Sequence, residues 1–581
     1  MLIEMNNMNK SKLTVVASCI GIFLCMLDTT IMNIALPAIQ TGLNVNLNDL
    51  SWALNIYTIL FATLTIPLSK LSEKLGMHKF YVGGMIIFLL GSLISAFSSN
   101  ITILIFGRAF QSLGAAVVFP LSMTIGISTV EISDRTKVIA ALGVTQGLAA
   151  ALGPLIGGVL TQFLSWRWIF LINIPLMIVS ILICLYSLDF TEPSKNIPID
   201  LIGCFLSMIC LFSLTIVLVQ GRKWGWTKSL TLLLVILAVI SFVIFIIYEK
   251  NIDNPMIPMS LFYDRQFNGA ALTILLSNLF LVAVTVILPT YFTKIQGKTE
   301  LYASLLITPI TVMIFICSPI AAILIAKWGA RLVIFVGFLA MFIAYVMLCK
   351  INMDNQLQVI AACAILGFGY GVITGPITVL AASDFTGEKL TASQSVAGVL
   401  RQVGVVLAIA IFVTGLYSNM KVAKYNSIEY AVAKIQKLDL SQKQKKVMII
   451  TTKKGIESGN PRKKYSKNHI SSNIRKKIIN AEYNRVTGYK KEINFTMRKI
   501  IKTQITQKVN RQLNATNKKI NHCIQGIQKY SKREFSKAFI KLYANSLPFL
   551  LMALLVSLVF KKRKNYDSNQ KNRASGSIFI G

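Results

Sequence analysis

Charge is what this sequence has least of. Only 14% of its 581 residues are Asp, Glu, Lys or Arg, against about a quarter in a soluble domain. With 54% hydrophobic residues and a mean hydropathy of +0.63, this excludes a chain that folds in water throughout. Histidine is scarcer still. His78, His469 and His522 are the three present, and their scatter excludes a histidine-built metal site. The nine cysteines lack paired spacing. Cys19, Cys25, Cys184, Cys204, Cys210, Cys317, Cys349 and Cys363 lie in apolar runs and read as small core residues, not as a disulfide or metal framework. No Walker-type phosphate loop occurs, which argues against ATP-driven pumping. No cofactor is expected.

What is present in quantity is long apolar runs. A membrane span needs about 20 mostly apolar residues. Fourteen runs qualify, from 13–35 to a short last one over 544–560. The first has no small-residue cleavage site before the next and reads as a helix that stays. With the N-terminus inside, short cytoplasmic segments hold more than twice the Lys and Arg of the first six external loops. The positive-inside rule therefore puts both termini in the cytoplasm of a multi-pass protein of the cell membrane, a bacterial plasma membrane.

One segment departs from this pattern. Residues 421–541 hold 31 Lys and Arg against 6 acids, so they carry +25 of the total net charge of +36. They fall between spans thirteen and fourteen, hence outside, and long loops translocate regardless of their charge. Stretches such as "VAKIQKLDLSQKQKKVMII" have helical spacing, interrupted by "SGNP" at 458–461. Partial helix with mobile connections is expected. An external address disfavours nucleic acid as partner. Anionic lipid or wall polymer fits better, and a solvated tether is the plainer reading.

Chemistry inside the spans is sparse. Asp28, in "MLDTTIMNIALPAI", sits roughly 22 Å along the first helix from Leu13. A carboxylate at that depth costs about 2.5–3.5 kcal/mol, so it faces a cavity or a partner. The competing reading is a helix-end residue satisfied by water. Arg108, in "LIFGRAFQSLGAAVVFP", lies at a similar depth on the fourth span. The two imply a pair or a shared proton network, with snorkelling of Arg108 to the interface as the alternative. The loop "PLSKLSEKLGMHKFYVGG" places Lys70, Glu73, Lys74 and Lys79 at the inner surface. In "ALGPLIGGVL", residues 151–160, small residues recur every four: Ala149, Gly153 and Gly157, and again Ala150, Pro154 and Gly158. In lipid such faces let helices approach closely, and proline is tolerated where neighbours resatisfy the backbone.

These motifs together resemble the fourteen-span drug:proton antiporter group of the major facilitator superfamily. "LDTTIMNIALP" (27–37) matches that group's first-helix motif, and "SWALNIYTIL" supplies the Trp52 and Tyr57 expected on helix two. "SKLSEKLGMHK" (69–79) resembles the cytoplasmic loop signature through Ser69, Glu73, Lys74, Gly76 and Lys79. Ser69 stands there for a glycine, Glu73 for an aspartate and Met77 for an arginine. Arg108, Gln111 and Gly114 fit the fourth-helix motif, with Ser112 where glycine is usual. "LGPLIGGVL" and "WRWIFLINIP" fit the antiporter motif of helix five and the start of helix six. "LPTYFTKIQGKTELYASLLITP" and "LRQVG" (400–404) match later in the chain.

The resemblance covers about 10–418 and the final span. It implies an all-α fold of two six-helix bundles plus two extra central helices: a first bundle over 1–190, linker helices in 191–266, second-bundle helices over 267–418, a basic external loop over 419–543, the last helix at 544–560 and a tail to 581. It implies exchange of protons for an amphipathic small molecule, driven by the proton gradient, with no covalent chemistry. Asp28 takes up the proton and Arg108 favours its ionised form. Asn33, Trp52, Tyr57, Gln111, Asn278, Tyr291 and Arg401 are the residues expected along the route. The small face of helix five would meet the opposite half and allow rocking, with pure packing as the plainer reading. Rival readings are a proton symporter or metabolite exporter on the same scaffold, and a transport-inactive anchor acting through its basic external loop.

Overall fold

The computed structural model describes residues 2–45, 47–191, 200–382, 385–457, 472–488 and 494–561. No strand occurs among them. The apolar runs become α1 (Leu2–Leu43), α2 (Leu47–Leu75), α3 (Met77–Ala96), α4 (Ile101–Ser128), α5 (Ile132–Phe163), α6 (Trp168–Leu171) and α7 (Asn173–Ser187) in the first half. A linker pair follows, α8 (Leu201–Trp224) and α9 (Ser229–Lys250). The second half holds α10 (Arg265–Thr290), α11 (Glu300–Trp328), α12 (Ala330–Lys350), α13 (Gln356–Ala382) and α14 (Gly387–Ala408). Among the described residues thirteen helices are long and apolar enough to cross a membrane, and α5, bent by 44° between Ala149 and Leu152, makes a fourteenth as one span. The protein is a multi-pass, all-α membrane protein.

Local chemistry sets the helix ends. Asn100 caps α4 by accepting from the Ile103 amide at 2.9 Å, and Thr299 caps α11 from the Tyr302 amide at 3.2 Å. Such caps satisfy amides that have no partner inside the helix. Single glycines join α2 to α3 and α11 to α12: Gly76 has φ 99° and Gly329 has φ 79°. Only glycine takes that backbone region without steric cost. The two joints occupy equivalent places in the two halves, as a parallel repeat requires. Close packing repeats as well. Gly91 and Gly107 set α3 against α4 backbone to backbone, and Gly337 and Gly369 do the same for α12 and α13.

The chain forms two compact units. The first comprises residues 1–289, 299–414 and 542–581 and holds both halves and the linker pair. The second comprises 290–298 and 415–541. It is more helical than its composition suggests, with α15 (Thr414–Gln436), α16 (Gln442–Glu457), α17 (Ser472–Thr487) and the start of α18 (Phe495–Leu555). Apolar faces account for this. Ile435, Met448 and Ile456 are buried where α15 meets α16, and Ile479, Ile505, Val509 and Leu513 form a seam between α17 and α18. Tyr430 stacks on Tyr530 with ring centroids 4.0 Å apart, tying α15 to α18. The "SGNP" interruption lies outside the described residues. The expected short last span is the end of α18, a helix of 61 residues that begins inside the basic segment.

Candidate functional site: a buried ion pair in the first half

Asp28 and Arg108 meet. The guanidinium Nη1 donates to Asp28 Oδ2, and neither residue is more than 1% exposed. The pair is embedded in a polar network. Arg108 Nη1 also donates to Gln111 Oε1 at 2.9 Å, and its Nε donates to the Ala53 carbonyl at 3.3 Å. Gln111 Nε2 donates to Asp28 Oδ1 at 3.3 Å and to Ser92 Oγ at 2.8 Å. The Tyr57 ring lies 4.2 Å from the guanidinium carbon, while its hydroxyl donates to the Cys25 carbonyl at 3.1 Å. Asp28 and Gln111 are 83 positions apart in the sequence. Helical register unites them, because Arg108 and Gln111 are three apart on one face of α4.

The arrangement answers a physical demand. A charge taken out of water is tolerated when it is paired and its remaining donors and acceptors are satisfied. Breaking such a pair from one side costs about 3–5 kcal/mol, since the other charge stays buried. Snorkelling of Arg108 is excluded by its burial. Ser92 and Asn173 also belong to the network. Asn173 Nδ2 donates to Ser92 Oγ at 3.4 Å, and Asn173 Oδ1 is buried with no hydrogen-bond partner. Nothing marks a serine or asparagine as a network member until the helices are assembled.

The second half carries a smaller polar cluster. Arg401 of α14 is 5% exposed, and its Nε is buried without a hydrogen-bond partner. Tyr370 donates to Asn278 Oδ1 at 3.1 Å, and Asn278 Nδ2 donates to the Ile274 carbonyl at 2.7 Å. The Phe119 ring, from the first half, lies 5.9 Å away. Among the described residues no carboxylate forms an ion pair with Arg401.

The other residues expected along the route separate. Tyr291 belongs to the second unit, where its hydroxyl shares a 2.8 Å hydrogen bond with Ser536 and its ring packs on Phe539. The chain leaves the first unit at Thr290, one residue before it. Trp52 is half-buried on α2, and the side chain of Asn33 lies outside the described residues. An apolar cavity of about 590 Å³ sits instead beside the linker pair, walled by Leu214, Phe242, Phe245, Val399 and Val403. None of the expected route residues borders it.

The cytoplasmic loop motif is not a loop. α2 continues to Leu75, so Ser69 and Glu73 are buried on a helix; Lys74 is half-buried and Lys79 exposed. Lys70 Nζ lies 3.1 Å from Glu73 and 3.7 Å from Glu388, and Ser395 Oγ donates to Ser69 Oγ at 2.7 Å. The extra turns of α2 dock on the start of α14, which joins the two halves here.

The small face of α5 divides between two partners. A methyl at Gly153 would strike Thr30, and one at Gly157 would lie 2.9 Å from the Ile31 carbonyl oxygen. The Gly153–Gly157 stripe thus packs on α1 of the same half, not on the opposite half. Ala149 is buried, and the side chain of Ala150 lies outside the described residues. The adjoining stripe makes the contact between halves. Gly143 and Gly147 meet Thr378 and Thr374 of α13, and Gly158 meets Ser304 of α11. Small residues at 100° per step leave room for two neighbours on one helix.

Comparison with known proteins settles the class. The profile of the Major Facilitator Superfamily matches residues 18–409. The chain belongs to that superfamily. It is similar to the multidrug transporter protein MdtP of Bacillus subtilis (strain 168), with 29% identity over 68% of this chain and 73% of the relative. It is similar also to the multidrug resistance protein Stp of Mycobacterium tuberculosis (strain CDC 1551 / Oshkosh), at 26% identity over 73% and 80%. The riboflavin transporter RibZ of Clostridioides difficile (strain 630) is 26% identical over 70% and 88%. The protein is a transporter and not an enzyme. The long basic segment of the second unit, 415–541, falls outside the matched residues.

Proposed function

We propose that this transporter exports amphipathic small molecules across the cell membrane in exchange for protons. The observation that carries the reading is Asp28, a carboxylate wholly buried on a membrane-crossing helix and held by Arg108 and Gln111. Intramembrane carboxylates in such settings serve as proton relays. A proton from outside neutralises Asp28 and releases Arg108 from the pair, and a substrate from the cytoplasmic side is bound when the proton leaves. The names of MdtP and Stp support drugs or other toxic lipophilic compounds as cargo. Both termini are cytoplasmic in this reading, and the basic unit is external, where anionic lipid or wall polymer is its partner.

The similarity to RibZ favours a second reading, movement of a vitamin-like metabolite with protons in either direction. Proteoliposomes separate the two. With an imposed proton gradient and a panel of lipophilic dyes, efflux opposite in direction to proton flow supports exchange. Flow of substrate together with protons overturns it.

A further inference from the structure

Two acids outside the Asp28 network stand face to face at one end of the linker pair. Asp200 caps α8: its Oδ1 accepts from the Gly203 amide at 2.9 Å and from the Tyr248 hydroxyl at 3.2 Å. Glu249, in the last turn of α9, accepts from the Ile257 amide through Oε2 at 3.1 Å. Each carboxylate thus uses one oxygen. The remaining two, Asp200 Oδ2 and Glu249 Oε1, are buried without a hydrogen-bond partner. Both converge on the same point over the Cα of Gly203, where a Cβ would collide with each. The residues are 7% and 2% exposed.

Two ionised carboxylates with lone pairs turned on each other repel, and each unsatisfied oxygen adds a desolvation penalty. One proton removes both penalties, because a protonated oxygen donates to the other carboxylate. The surrounding charges do not supply an alternative. Lys70 of α2 is within electrostatic reach of Glu249, but its ammonium is already engaged by Glu73 of α2 and Glu388 of α14. Tyr248 of α9 and Cys204 of α8, the other titratable neighbours, carry no positive charge. Lys70 is thus already shared by two other acids.

We propose that Asp200 and Glu249 form a second proton-binding site, with one proton held between Asp200 Oδ2 and Glu249 Oε1. The site is built into the joint between the halves. Glu249 is tied to Ile257, and Ile257 walls the same small gap as Lys70, Glu73, Glu388 and Ser395. Loss of the proton drives the ends of α8 and α9 apart and draws Lys70 toward the pair, away from Glu388. The linker helices thereby act on the α2–α14 contact. This site rests on neither Asp28 nor the direction of transport.

Infrared titration of the full chain in lipid nanodiscs tests it. The carbonyl stretch of a protonated carboxyl should persist in the wild-type protein at pH values where ordinary carboxylates are ionised. It should persist in Asp28→Asn and vanish in both Asp200→Asn and Glu249→Gln. Asn still caps α8, and Gln still accepts from Ile257 while donating to Asp200, so both variants keep the local fold. The thermal midpoint should fall as pH rises through the loss of the band in wild type and stay level in Glu249→Gln. Absence of the band in wild type, its survival in both single variants, or a midpoint raised by sodium at constant pH with no band would each overturn the proposal.

Discussion

Asp28 and Arg108 show how much a single buried residue decides. Removing the carboxylate charge while keeping its shape should leave Arg108 hydrogen-bonded to Gln111 and Ala53. The Arg108 charge nevertheless loses its counter-ion, so Asp28→Asn is expected to unfold at a lower midpoint than wild type and to lose proton-driven efflux. Undiminished gradient-driven transport by this variant would sink the coupling role. Arg108→Ala is a harsher change, because it leaves Asp28 buried and unpaired and also removes the bonds to Gln111 and Ala53; a loss of about 3–5 kcal/mol is expected, read as a lower unfolding midpoint. Substrate charge follows from the same count. Asp28 is already paired, and among the described residues Arg401 of the second half has no carboxylate partner. A dication in a dehydrated cavity needs two anionic partners. A divalent lipophilic cation should move roughly tenfold or more slowly than a monovalent one of similar size, a factor of ten being about 1.4 kcal/mol. Equal rates would refute the single-carboxylate argument.

At the scale of elements, α5 carries two jobs on two adjacent stripes. Gly157 holds it against α1 inside the first half, and Gly158 holds it against α11 of the second. Leucine at either position has no room, but the consequences differ. Gly157→Leu should disturb the first half itself, lowering thermal stability as well as stopping transport. Gly158→Leu should leave that half intact and block only the approach of the halves. The comparison to make is unfolding midpoint beside transport rate for each variant. If Gly157→Leu transports normally, the packing of α1 on α5 has no functional weight. The cytoplasmic motif is another case where an element overrides its appearance. Its lysines and glutamate look like a solvated loop, yet α2 runs through them and buries Lys70 and Glu73 against α14.

For the whole molecule, the question is what the second unit contributes to transport. The superfamily match ends at 409, before that unit's long segment begins at Gly415. The Tyr430–Tyr530 stack marks where α15 and α18 run side by side within the unit. Replacing 437–525 by a short Gly/Ser linker keeps that stack and removes most of the basic surface. Such a variant should retain efflux at a rate within about twofold of the full chain; complete loss of function, with normal membrane insertion, would favour the anchor reading instead.

Class, helix content and the presence of an intramembrane acid were legible in the sequence, because the bilayer imposes length and polarity on every span. The motif spacing also led to the superfamily. Asp28 and Arg108 stood out for the same reason: a charge in an apolar run is visible without coordinates. Their pairing required the packing of α1 on α4. So did the roles of Ser92 and Asn173, whose polarity is common in any helix. The direction in which each stripe of α5 faces, the removal of Tyr291 into the second unit and the meeting of Asp200 with Glu249 were decided by tertiary structure alone. Periodicity says which residues share a face, but only the neighbouring helix says what that face meets.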